Sequence, residues 1–312
     1  MINKIPLAAI VGPTASGKTT IAVEIAKRLC GEVVSADSVA IYTGLDIGSA
    51  KPTEAEMQGI PHHMIDCADP SMCFAVSDYQ KGARAAISSI HSRGKLPILA
   101  GGTGLYINAV ISDLSFTSAS RDDAFRRIWI LREEEDPGSA YAELKKLDRK
   151  RAEQLHRNDF KRILRALEVY HLTGRLMSKQ NGEFIKSDSP YRLAIVGLSM
   201  PRELLYDRIE QRVDTMISNG LVYEVQRLLD KRINPNSPSL QGLGYKEIIG
   251  YINGEHSIEQ AIALIKLNTR HFAKRQITWF KRDKRTVWFD VSQCSKKSLI
   301  DKIEEYFINA LH

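Results

Sequence analysis

The chain has 312 residues, 43% hydrophobic and 26% charged, with 44 Lys and Arg against 37 Asp and Glu for a net charge of +7. This is a globular composition with enough residues for a large core, and the cationic excess points to a polyanionic partner without identifying it. No apolar run reaches the roughly 18 residues of a membrane span, and the four cysteines form no CxxC pair, which sets aside a zinc site or disulfide framework and fits reduced thiols in a cytoplasmic protein.

The opening MINKIPLAAIVGP runs directly into a glycine motif, so it reads as a first strand rather than a signal peptide. Leu7–Val11 is predicted as a buried strand, followed by a glycine-rich turn and a helix over about Lys18–Leu29 with Ile21, Ile25 and Leu29 on one face. A second strand is predicted over Val33–Ala36, a helix over Val76–Arg93, and a third strand over Leu96–Ala100, ending in Gly101-Gly102. Strand, helix and strand in alternation imply a parallel sheet with ligands at the carboxyl ends of its strands. Residues 121–177 show helical periodicity and no strand signal, with breaks at Asp136-Pro137-Gly138 and near Asn158-Asp159. They are predicted as a helical insertion that exits through Asn181-Gly182 and Ser187–Pro190. A strand returns at Leu193–Leu198, Pro201 opens a helix, a long helix runs from Ser257 to about Arg282 behind a Ser257–Gln260 capping box, and Thr286–Phe289 is a last strand. The expected fold class is α/β: a P-loop core of residues 1–114 and 190–312, its parallel sheet flanked by helices, plus a helical insertion domain of residues 115–189.

Gly12-Pro13-Thr14-Ala15-Ser16-Gly17-Lys18-Thr19 matches G-x-x-x-x-G-K-[ST]. Its glycines let the backbone curl so that successive N–H groups point into one concavity, and the following helix adds its positive end. Lys18 offers a point charge to the terminal phosphate, and the Thr19 hydroxyl can ligate Mg²⁺. A nucleotide hydrolase also needs a strand ending in Asp, yet the best candidate ends Ala100-Gly101-Gly102-Thr103. The nearest useful acid is Asp37, after the second strand. A phosphate loop without the hydrolase acid fits a phosphorylated substrate bound without ATP hydrolysis.

These motifs, together with Asp37-Ser38-Val39-Ala40-Ile41-Tyr42, Asp46-Ile47-Gly48-Ser49-Ala50-Lys51-Pro52, Pro61-His62-His63, Gly101–Tyr106, Asn158-Asp159, Arg165–Val169, Gly244-Tyr245-Lys246-Glu247 and Thr269–Arg282, resemble in order the tRNA dimethylallyltransferases. The resemblance covers about Ile5 to about Phe289. It implies a P-loop core with a helical insertion, and transfer of a dimethylallyl group from dimethylallyl diphosphate to N6 of the adenosine beside the anticodon, with Mg²⁺ required and pyrophosphate released. Ala40 stands where many members carry Gln, which bears on one hydrogen bond to the adenine edge, and Ser49 where Thr is common. The sequence has no eukaryotic-type zinc finger, so a short bacterial-type enzyme is implied; nothing in the sequence suggests an obligate dimer, and a monomer is expected.

The reaction assigns roles. Gly12 to Thr19 with Mg²⁺ would hold the leaving diphosphate. Asp37 is the expected general base, although its place after a strand also suits a turn or cap residue. Arg212 alone reads as a solvated helix charge; the resemblance gives it to the diphosphate. Ser38 and Thr103 are placed to contact the unstacked base, with Val39 and Ala40 beside them.

The positive charge has its own distribution. Residues 1–114 hold nine basic and ten acidic groups, whereas residues 266–285 alone hold eight basic and one acidic. There Lys266, Arg270 and Lys274 recur at four-residue spacing, a candidate phosphate track. A second basic run, Lys145–Arg165, contains Lys161-Arg162-Ile163-Leu164-Arg165, which the resemblance places on tRNA along with Gln241-Gly242-Leu243-Gly244-Tyr245-Lys246 and Phe125. The expected partner is the anticodon stem-loop, clamped by shape and read through unstacked bases. Two other readings compete: a small-molecule kinase using ATP at the same loop, and a non-catalytic P-loop module that binds RNA. The first leaves the basic half without a purpose, and the near-complete motif set argues against the second.

Overall fold

The computed structural model describes residues 4–112, 122–180 and 188–311. The expected boundary at residue 114 and the exit at Asn181-Gly182 lie outside them. The chain divides into two compact units, Met1–Asp113 with Asp188–His312, and Leu114–Ser187.

The larger unit is built on a six-stranded sheet: β1 (Pro6–Val11), β2 (Gly31–Ala36), β3 (His62–His63), β4 (Leu96–Gly101), β5 (Arg192–Ser199) and β6 (Thr286–Asp290). The order is β3-β2-β4-β1-β5-β6, with every ladder parallel. Val11 pairs with Gly101 and Gly197, and Ala36 pairs with Gly101, so β1, β2, β4 and β5 release their chains at one edge.

A strand covered on both faces is apolar throughout rather than alternating. Leu7 to Val11 accordingly have no exposure at all. Leu7, Ala9 and Val11 pack into one core with Tyr79, Ala83, Ile87 and Ile90 of the Val76–Ser92 helix. Ala8 and Ile10 pack into the other with Ile21 and Ile25 of the Lys18–Arg28 helix and Ile303 and Phe307 of the Lys296–Leu311 helix. Each fully buried large side chain contributes roughly 1.5–3 kcal/mol, so the site is mounted on the most constrained strand of the fold. Arg28 ties the first helix to the last through Asp301 and Glu304, both at 2.7 Å. Besides the helices Glu54–Met57, Gly104–Ile111, Leu221–Asp230 and Tyr245–Ile252, the structure adds β3 and the Lys296–Leu311 helix to the predicted elements. The former is too short to show any period, while the latter carries one in Leu299, Ile303 and Phe307 but no chemical motif.

The smaller unit is helical among its described residues. Helices Asp123–Glu135, Ser139–Leu147 and Phe160–Thr173 pack around Trp129, Leu144, Ile163, Leu164 and Leu167. Gly138, at φ 100°, lets one helix end and the next begin, and Asp159 caps the third by accepting from the Arg162 N–H. Glu168 is fully buried in this unit. Burial opposes its charge, yet hydrogen bonds from Arg126 and Arg165 prevail and hold its pKa down to about 2.

Candidate active site

The loop after β1 is tightly curled. A Cβ on Gly12 would fall 2.9 Å from the Leu198 carbonyl, and Ala15 at φ 63° and Gly17 at φ 86° both turn left-handed. Gly17 is the N-cap of the Lys18–Arg28 helix and supplies no side-chain cap, so the N–H groups of the first turn have no partner within the helix. Ser16 Oγ is buried without a hydrogen-bond partner among the described residues. First-turn N–H groups without partners within the helix, a helix N-terminus and an orphaned hydroxyl in one curl have the form of an anion cradle.

The cradle opens into a cleft of about 1030 Å³ lined by Lys18, Thr19, Asp37, Ser38, Val39, Ala40, Thr103, Arg212, Gln241, Gly242 and Leu243. The structure therefore brings together the predicted phosphate loop, base and cation. Lys18 Nζ donates to the Pro13 carbonyl at 2.6 Å. Burial first, and then the Arg212 charge, pull the Lys18 pKa from 10.5 to about 7, with Asp37 acting in the opposite direction. Burial likewise disfavours the Arg212 cation, while Asp37 supports it. One carboxylate thus serves two cations that a desolvated site would otherwise repel.

Asp37 takes the turn role that the sequence allowed, and one of its carboxylate oxygens is left over. Its Oδ1 accepts the N–H groups of Val39, at 2.8 Å, and Ala40, at 3.1 Å, closing a turn. Its Oδ2 makes no hydrogen bond with any described residue. Thr103 Oγ1 accepts from the Ser38 N–H at 3.1 Å and donates to Ser38 Oγ at 3.3 Å, so this hydroxyl pins the Asp37–Ser38 segment to β4.

A group from the Thr269–Arg282 block, given no role by the sequence, joins these loops. Gln276, on the Ile258–Phe280 helix and 5% exposed, accepts the Thr14 N–H at 2.8 Å and donates to the Gly102 carbonyl at 2.9 Å. One amide thereby fastens the phosphate loop to the loop that carries Thr103.

Burial and pairing separate the residues of the expected RNA segments. Ile163 and Leu164 lie in the core of the helical unit, and Tyr245 is fully buried with its hydroxyl on Glu224. These side chains are packing groups, so only the backbone and neighbours of their segments reach solvent. Arg165 is committed to Glu168 at 2.5 Å and Arg162 to Asp159 at 2.6 Å, whereas Lys161 is exposed. Phe125 is half-buried and stacks on His171 with centroids 4.4 Å apart. On the basic helix, Lys266 pairs with Asp214 at 2.7 Å and Arg270 with Glu210 at 3.3 Å. The four-residue track therefore reduces to Lys274, exposed and without an ion pair among the described residues. Lys246 is exposed beside Glu247, and Gly244 is buried.

A curled loop after a central parallel strand, with half-buried Lys18 at its end and half-buried Arg212 lining the same cleft, is an α/β arrangement whose sites lie at the carboxyl edge of the sheet. Residues 40–283 match the family model described as IPP transferase, and the chain belongs to that family. It is 48% identical to a tRNA dimethylallyltransferase of Pelotomaculum thermopropionicum over 93% of this chain and 92% of that one. The solved full-length tRNA isopentenylpyrophosphate transferase of Bacillus halodurans is 43% identical with a TM-score of 0.76, covering 99% of this chain and 97% of that one. A eukaryotic dimethylallyltransferase solved acting on tRNA is 28% identical with a TM-score of 0.82, covering 97% of this chain and 80% of that one.

Proposed function

We propose that the protein transfers a dimethylallyl group from dimethylallyl diphosphate to N6 of the adenosine 3′-adjacent to the anticodon of tRNA, releasing pyrophosphate. The observation that carries this reading is the convergence of the Gly12–Thr19 loop, Asp37 and Arg212 on one cleft in a chain of this family. The N–H groups of the loop, Lys18 and Arg212 bind the diphosphate and stabilise the charge that builds on it as its C–O bond breaks. Asp37 Oδ2 takes the N6 proton as the new C–N bond forms, while Oδ1 holds the turn that aims it. Ser38, braced by Thr103, faces the flipped base.

No cluster of three or more His, Cys, Asp or Glu among the described residues is placed to hold a metal. That suits Mg²⁺, which keeps several waters and reaches protein sites through substrate oxygens, with the exposed Thr19 hydroxyl as the protein ligand. When bound, the ion neutralises charge on the leaving diphosphate. No helix among the described residues is long and apolar enough to cross a membrane, and the reading is of a monomer at work in the cytoplasm.

Incubation with dimethylallyl diphosphate, Mg²⁺ and undermodified tRNA is expected to yield N6-dimethylallyladenosine after digestion. Phosphoryl transfer from ATP with no such product would point to the kinase instead. Lys274→Ala is expected to weaken tRNA binding and to lower the salt slope of the association constant by about one unit. An unchanged slope removes Lys274 from the RNA surface.

A further inference from the structure

Glu224 lies on the Leu221–Asp230 helix and is 4% exposed. Its carboxylate accepts four hydrogen bonds. Oε2 receives the N–H groups of Asp46 at 3.0 Å and Ile47 at 2.8 Å; Oε1 receives the N–H of Gly48 at 3.1 Å and the Tyr245 hydroxyl at 2.7 Å. All the lone-pair positions of an ionised carboxylate are then in use. Tyr245 closes the other side of the turn, since a Cβ on Gly48 would fall 2.5 Å from its ring. The segment held this way lines the cleft. Its next residue, Ser49, turns a carbonyl toward Arg212, whose Nη2 lies 3.5 Å away.

Three consecutive N–H groups normally gather around a bound anion. Here the anion is the protein's own side chain, and the object being fixed is the turn. We infer that Glu224 is a positioning residue for Arg212: it locks the Asp46–Gly48 turn, and through the Ser49 carbonyl sets where the guanidinium meets the diphosphate. The inference rests on Arg212 being a diphosphate ligand, as proposed above.

The test is calorimetric titration of the full chain with inorganic pyrophosphate, with a thermal melt for each variant. Glu224→Gln keeps the size of the side chain, but whichever way its amide turns, the NH₂ faces at least one backbone N–H and the turn loosens. It is expected to raise the Kd about tenfold and Arg212→Ala about thirtyfold, while the double variant binds no more weakly than Arg212→Ala alone. Gly48→Ala pushes the turn off the Tyr245 ring without touching the carboxylate. It is expected to reproduce the non-additivity and serves if Glu224→Gln does not fold. Tyr245→Phe, which keeps the three N–H bonds, is expected to stay within about twofold of the unmodified protein. Effects of Glu224→Gln and Arg212→Ala that simply add would make Glu224 a support of the fold alone and overturn the inference, as would unchanged affinity in both Glu224→Gln and Gly48→Ala. An Arg212→Ala protein that binds pyrophosphate like the unmodified one would overturn the underlying reading of Arg212 itself.

Discussion

Asp37→Asn is expected to slow transfer by about 10³-fold, within the range by which a positioned general base contributes, while tRNA affinity stays within about twofold. The choice of Asn follows from the geometry. Asp37 Oδ1 caps the N–H groups of Val39 and Ala40, and an Asn carbonyl oxygen accepts the same two bonds in the same turn. What changes is the other atom, where a basic oxygen becomes an NH₂ that cannot take a proton. Asp37→Ala removes both functions, so it should lose transfer and also part of the cleft's order, at a cost of about 1 kcal/mol for each hydrogen bond left unmade. Single-turnover rates on undermodified tRNA, set beside melting temperatures, separate the two. Transfer in Asp37→Asn within tenfold of the unmodified enzyme would show that the residue shapes the turn and that another group takes the proton.

The second large effect concerns pH. In the protein without diphosphate, Lys18 titrates near pH 7 because burial and Arg212 disfavour its charge. A bound diphosphate favours the charged form and raises that value. Above pH 7 the complex therefore holds more protons than the free protein, and binding must take one up. Pyrophosphate affinity is expected to fall as pH rises from 7 to 9, by up to about tenfold per unit. Titrations in buffers of different ionisation enthalpy should show uptake approaching one proton. Lys18→Met is expected to lower affinity about 10- to 100-fold at pH 7 and to flatten the profile. A profile of unchanged slope in Lys18→Met would assign the titration to another group.

What was legible in the sequence was what chemistry writes at fixed local spacing. The Gly12–Thr19 loop, the Ser257–Gln260 capping box and the apolar run of β1 all depend on neighbours a few residues away, and all three are present. Asp37 was legible as a functional carboxylate or as a turn residue; that one oxygen alone closes the turn was not legible, because that geometry exists only in three dimensions. Gln276 lay inside the Thr269–Arg282 block without any sign of its role, and Glu224 carried no signal. Their partners lie 262 and 178 residues away in the chain, and no motif spacing spans such distances. The basic helix was read incompletely for a related reason. Periodicity places Lys266, Arg270 and Lys274 on one face, but it does not reveal that Asp214 and Glu210 on a neighbouring helix neutralise two of them. The RNA segments mixed exposed and buried residues because a family motif also records packing, as at Ile163, Leu164 and Tyr245.

The single amide of Gln276 also dictates a timetable. Thr14 and its loop leave the ribosome early, whereas the side chain that fixes them is 262 residues further on. At about 5–20 residues per second that is a delay of roughly 15–50 s. β1 waits as well, since β5, its neighbour on one side, begins only at Arg192. Over that interval the chain carries the complete loop motif without the Gln276 amide that restrains it. The two bonds by which Gln276 fastens the phosphate loop to the Gly102 loop therefore form only after the helix bearing it, and with it Lys274, has emerged.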